Sequence, residues 1–76
     1  MEKGDKRYMK TRIQELRKAH KLSQEELAMA VGVTRQTIIS LEREKYTASL
    51  VLAYKIARFF GVMIEDVFDF SDVEDI

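Results

Sequence analysis

The chain has no cysteine, no proline and no tryptophan, one histidine, and three glycines among its 76 residues. Without cysteine it can form neither disulfides nor thiolate metal sites. One imidazole, that of His20, cannot build a multi-histidine cluster, so neither a metal nor another cofactor is expected. No apolar run approaches the ~20 residues of a membrane-spanning helix. No signal-peptide pattern opens the sequence, and the expectation is a soluble cytoplasmic protein. Catalysis has little to draw on, because a glycine-rich phosphate loop and a cluster of catalytic carboxylates are both missing. An enzyme is not expected.

The formal net charge of zero averages two unlike regions. Residues 65–76 hold Glu65, Asp66, Asp69, Asp72, Glu74 and Asp75 and no Lys or Arg. Residues 1–64 hold all 13 basic residues against 7 acidic ones. A basic body with an acidic tail suits a polyanion-binding face whose tail is kept off it. A chain of this length makes one domain with a modest core, which makes oligomerisation a reasonable expectation.

Residues 1–8 are polar and charged without apolar periodicity and read as a flexible arm. A helical pattern opens at Met9, and a first helix is expected over residues 10–20, with Ile13, Leu16 and Ala19 three apart. Ser23 followed by Glu26 is a capping box for a second helix over residues 24–31. Gly32 can take the positive φ that ends it. Thr34 caps a third helix over residues 35–43, with Ile38 and Leu41 inward. Gln36, Ser40 and Arg43 lie on its opposite side, with Ile39 at the edge. Ser49 caps a fourth helix over residues 50–60, where Leu52, Ile56, Phe59 and Phe60 form a broad apolar face and Gly61 closes the end. A fifth, short helix is expected over residues 64–68. No run is long enough at strand period to suggest a sheet. The reading is an all-α domain over residues 9–68, followed by an acidic tail over residues 69–76.

A short helix, a tight glycine turn and a second short helix give residues 23–43 the spacing of a DNA-binding helix-turn-helix. Beyond spacing, residues 9–68 resemble the Cro/repressor-type, or XRE-like, helix-turn-helix family. The resemblance rests on Leu22-Ser23-Gln24-Glu25-Glu26-Leu27-Ala28, on Gly32-Val33-Thr34-Arg35-Gln36-Thr37-Ile38, on Leu41-Glu42 and on Lys45-Tyr46. Residues 56–62, Ile-Ala-Arg-Phe-Phe-Gly-Val, resemble the family's fourth helix. Two positions depart from the pattern. Arg43-Glu44 stands where the family usually has Asn-Gly, which would place Glu44 at a costly positive φ. Ala48 stands where proline is common.

The resemblance implies a λ-repressor-like five-helix fold and a sequence-specific regulator, a repressor, working on double-stranded DNA in the cytoplasm at the nucleoid. Arg35, Gln36 and Ser40 match the base-reading positions, and Ile39 could meet a thymine methyl. Gln24, Thr34, Thr37, Arg43 and Lys45 are the phosphate-contact candidates. Arg17 and Glu42 match a structural pair joining the first helix to the third, with Gly32 as the structural turn residue. A homodimer on a palindromic operator is expected, with Val51, Tyr54, Val67, Phe68 and Phe70 as candidate interface residues. The alternative is a protein-interaction module, such as the antitoxin of a toxin–antitoxin pair, taking its partner through the acidic tail.

Overall fold

The computed structural model describes residues 9–71. Strand β1 (Lys10–Thr11) leads into α1 (Ile13–Ala19), α2 (Gln24–Val31), α3 (Arg35–Glu42), α4 (Leu50–Phe60) and α5 (Ile64–Val67), and strand β2 (Phe68–Asp69) follows. Five helices stand where five were expected. The fold is the all-α, λ-repressor-like one, with α2 and α3 packed tightly as a helix-turn-helix.

Each long helix starts where its cap residue sits. Ser23 Oγ accepts the Glu26 N–H and Glu26 Oε1 accepts the Ser23 N–H, completing the capping box of α2. Thr34 Oγ1 accepts the Thr37 N–H at the start of α3, and Ser49 Oγ accepts the Leu52 N–H at the start of α4. In the short α5, the Asp66 carboxylate accepts the Met63 N–H. Apolar side chains spaced at three and four residues then face one centre: Ile13, Leu27, Ile38, Leu41, Ile56 and Val67 are fully buried there. At roughly 1.5–3 kcal/mol for each fully buried large aliphatic side chain, this cluster is the main favourable contribution to folding.

Several expectations change. The first helix begins at Ile13 rather than at residue 10, because Lys10 and Thr11 pair antiparallel with Asp69 and Phe68. The Arg12 N–H extends this ladder to the Val67 carbonyl at 2.7 Å. The pairing also brings Asp69 into the folded body, one residue past the expected boundary. Its carboxylate accepts the Ser71 N–H at 2.9 Å, and the Ser71 hydrogen bonds hold the Asp69 carboxyl below its ordinary pKa. Finally, Val67 (0% exposed) and Phe68 (3%) pack in the chain's own core and are removed from the interface candidates. A four-residue helix followed by a strand turns both of these side chains inward, so neither is free for a partner. Ala19 is exposed, and Phe59 keeps 43% exposure while its neighbour Phe60 is buried.

Candidate nucleic-acid interface

The exposed side of α3 carries Arg35, Gln36, Ile39, Ser40 and Arg43, while Ile38 and Leu41 hold its inner side in the core. At ~100° per residue these five positions form one continuous stripe with Ile39 inside it rather than at its margin. Ile39 is half-buried, yet it is not among the apolar side chains packed against the core. It lines a surface groove.

Two grooves flank the stripe. One, of about 290 Å³, is lined by Gln14, Gln24, Arg35, Ile39, Glu42 and Arg43. The other, of about 240 Å³, is lined by Thr34, Gln36, Thr37, Ser40, Lys45 and Tyr46. Gln36 Nε2 reaches Ser40 Oγ at 3.4 Å, a long bond that leaves the amide easily turned outward. The Thr34 and Thr37 hydroxyls lie 3.1 Å apart at the N-terminal end of α3. Lys45 is exposed at the other end of the same groove.

Beneath the first groove lies a polar network that orients α3. Arg17 grips Glu42 with two N–H groups: Nε donates to Oε2 at 2.7 Å and Nη2 donates to Oε1 at 3.1 Å. The side chains retain 10% and 5% exposure respectively, so this pair is largely desolvated. Arg17 Nη1 also donates to the Leu22 carbonyl at 2.9 Å, fixing the turn between α1 and α2. Gln24 Nε2 donates to Glu42 Oε1 at 3.1 Å. An amide nitrogen carries two hydrogens, which leaves one on Gln24 for an external acceptor. The Arg17 guanidinium offsets the Glu42 carboxylate at the groove floor, and Arg35 and Arg43 give the groove its net positive charge.

The expected candidates therefore fall into distinct places. Arg35, Ile39, Arg43 and Gln24 share one groove, and Gln36, Ser40, Thr34, Thr37 and Lys45 share the other. Val51, Tyr54 and Phe70 lie outside both and are exposed. Sequence reasoning did not assign a role to Gln14 or Tyr46. Gln14 sits three residues before Arg17, a spacing that places it above the buried pair. Tyr46 is an aromatic residue in an otherwise polar link, and both signals stood in the sequence.

A family model described as helix-turn-helix matches residues 13–67, the span from the first buried residue of α1 to the last of α5. The chain belongs to the helix-turn-helix family of transcriptional regulators. It is a DNA-binding transcriptional regulator. An uncharacterized HTH-type transcriptional regulator of Methanocaldococcus jannaschii is 54% identical over 66 residues, 87% of this chain and 100% of that protein. An uncharacterized HTH-type transcriptional regulator of Archaeoglobus fulgidus is 58% identical over 66 residues, 87% of this chain and 94% of that one. Among solved structures, the restriction-modification controller protein C.AhdI from Aeromonas hydrophila superposes with a TM-score of 0.68 at 36% identity. That likeness covers 72% of this chain and 83% of the controller protein. Among the described residues, no helix is long and apolar enough to cross a membrane.

Proposed function

We propose that this helix-turn-helix regulator is a repressor that lays α3 in the major groove, reads bases with the outward stripe of that helix, and does so as a homodimer on a two-fold operator. The observation that carries the reading is the stripe itself. Arg35, Gln36, Ile39, Ser40 and Arg43 lie side by side, clear of the core, on a helix anchored from below by Ile38, Leu41 and the Arg17–Glu42 pair.

Each residue then has a role that fits its chemistry. Gln36 offers a carbonyl and an amide to adenine, Arg35 a two-pronged donor to guanine, Ser40 a hydroxyl to either, and Ile39 an apolar contact for a thymine methyl. Gln24, held on Glu42 by one N–H, presents the other to a backbone phosphate beside the N-terminus of α2. Thr34 and Thr37 serve phosphate at the N-terminal end of α3, and Arg43 and Lys45 clamp it at the C-terminal end. Exposed Val51, Tyr54 and Phe70 supply apolar surface for the second copy. On this reading the protein works at the nucleoid.

Duplexes selected from a random pool with the purified protein supply the operator for the test. Gln36→Ala is expected to lose roughly 1–3 kcal/mol of discrimination at one base position, about 5- to 150-fold in relative affinity. Arg43→Ala is expected to weaken all duplexes alike and to flatten the salt dependence by about one unit of slope. Both side chains are exposed or on the surface stripe, so melting temperatures should stay unchanged. Equal affinity for every duplex, or no change with Gln36→Ala, rejects the reading.

A further inference from the structure

The groove of about 290 Å³ beside α3 takes its walls from three helices. Helix α3 supplies Arg35, Ile39 and Arg43, which are four apart and so form one row along its axis. Helix α2 supplies Gln24, and α1 supplies a single side chain, Gln14. Two anchors fix where Gln14 stands. Three residues before it, the Thr11 N–H is held by the Glu44 carboxylate at 3.3 Å, and three residues after it, Arg17 is held by Glu42. Both anchors lie at the C-terminal end of α3, so Gln14 faces that end, where Arg43 stands.

The carboxylates beside this groove are already engaged. Glu42 Oε2 accepts from Arg17, Glu42 Oε1 accepts from Arg17 and Gln24, and the Glu44 carboxylate is turned to Thr11. Arg35, Arg43 and Gln14 are exposed, and among the described residues their side chains have no hydrogen-bond or ion-pair partner. Unspent donors therefore stand on the α1 wall as well as on the α3 wall.

We infer that Gln14 is a DNA-contact residue, whose amide N–H donates to the same backbone phosphate that Arg43 clamps from the opposite wall. The inference rests on the DNA reading above and deepens it by one contact from α1. Width makes the acceptor a phosphate rather than a base. An α-helix with its side chains is about 10–12 Å across and the major groove about 12 Å wide, so a helix laid in the groove fills it. Side chains on the elements flanking that helix then meet the sugar–phosphate walls. Gln14 is in that flanking position, with a cation across from it and the nearby acids already paired. An amide supplies a directed hydrogen bond but no charge, and this separates its contribution from that of Arg43.

Binding of the full-length protein to the selected duplex and to unrelated duplexes, over a series of salt concentrations, tests this. Gln14→Ala loses a hydrogen bond to a charged oxygen, so its affinity should fall roughly tenfold on every duplex alike. No cation is removed, so log affinity against log salt should keep the parental slope, whereas Arg43→Ala flattens it. Gln14→Lys should restore affinity at low salt and steepen the slope by about 0.9. Replacing the phosphates of the selected duplex one at a time by methylphosphonate then locates the contact. One replacement should weaken the parent strongly and both Gln14→Ala and Arg43→Ala less, at the same position for the two variants. Gln14 is exposed and alanine suits a helix, so Gln14→Ala should melt at the parental temperature. Parental affinity in Gln14→Ala, a loss confined to one base pair, or equal sensitivity of parent and Gln14→Ala to every methylphosphonate overturns the inference. Any of these beside an intact Gln36→Ala effect leaves the DNA reading standing. A parent that binds every duplex equally removes the base-reading stripe, while a uniform Gln14→Ala loss on those duplexes still supports the phosphate contact. A parent that binds no duplex overturns both.

Discussion

Helices α2 and α4 end on glycine, at Gly32 (φ +77°) and Gly61 (φ +72°), whereas α1 and α3 end on Lys21 (φ +58°) and Glu44 (φ +59°). All four ends close with the same pair of backbone bonds. The Val33 N–H reaches the Ala28 carbonyl and Val62 reaches Ala57; at the other two ends Leu22 reaches Arg17 and Lys45 reaches Ser40. The bonds of shorter sequence span, from the N–H of Gly32 to Met29, Gly61 to Arg58, Lys21 to Lys18 and Glu44 to Leu41, complete the pattern. The need to satisfy the last carbonyls thus sets the geometry, and glycine only lowers its cost, by roughly 1–2 kcal/mol relative to a residue with a Cβ. Each costlier end has one further tether. The Arg17 guanidinium holds the Leu22 carbonyl beside Lys21, and the Glu44 carboxylate accepts the Thr11 N–H at 3.3 Å. Both strained ends adjoin the network that orients α3, while both glycine ends lie beside the α4 side of the molecule. Left-handed backbone without glycine is found here where α3 is fixed.

The largest test of this comparison removes the tether at the Lys21 end together with the ion pair that orients α3. Arg17→Met would leave the Glu42 carboxylate nearly buried without its cation and release the Leu22 carbonyl. Breaking such a pair costs about 3–5 kcal/mol, which is a large part of the ~4–11 kcal/mol expected for a chain of this size. Urea denaturation should show the loss, and Arg17→Met combined with Glu42→Met should regain most of it. No recovery in the double variant would mean that the guanidinium does more than neutralise one carboxylate. Next in size is the glycine side. A Cβ placed on Gly32 meets nothing within 4 Å, nor does one on Gly61, so alanine at either position should cost the left-handed ~1–2 kcal/mol less the roughly 0.5–1 kcal/mol gained from a stiffer unfolded chain, a net loss of up to about 1.5 kcal/mol. A substantially larger loss in the denaturation midpoint would break the equivalence drawn between the four ends.

How legible these features were depended on whether their cause was local. The caps at Ser23, Thr34 and Ser49, the glycine ends and the inward Ile38 and Leu41 all follow from residues a few positions apart, and all could be read from the sequence. Glu44 was readable too, because a charged residue stood where a glycine was expected. Lys21 was not, since nothing near it departs from a pattern. The two-residue strands carry no periodicity, and only the meeting of residues 10–11 with 68–69 creates them. The bond from Gln24 to Glu42 joins positions 18 apart and fixes which way the amide faces. Val67 and Phe68 were misassigned for a related reason: apolar spacing shows that a side chain will be buried, but not whether its own core or another chain will bury it.

The smallest effect separates the two strained ends from each other. Lys21→Gly should relieve the ~1–2 kcal/mol left-handed penalty and lose roughly 0.5–1 kcal/mol to the greater freedom of the unfolded glycine, a net gain of up to about 1.5 kcal/mol. Glu44→Gly obtains the same relief but gives up the bond to the Thr11 N–H, worth about 0.5–1.5 kcal/mol, so its net change should be close to zero. Since 1 kcal/mol shifts the melting temperature of a domain this size by about 4–8 °C, a thermal scan resolves the difference. Equal gains in both variants would show that the Glu44 carboxylate contributes nothing to holding β1 against the exit of α3. A loss for Lys21→Gly would mean that the lysine side chain, exposed as it is, does something its geometry does not show. Neither position lies on the stripe of α3, so operator affinity should be the same in both variants. A change confined to Glu44→Gly would identify the β1 tether, rather than backbone strain, as what sets the angle of the recognition helix.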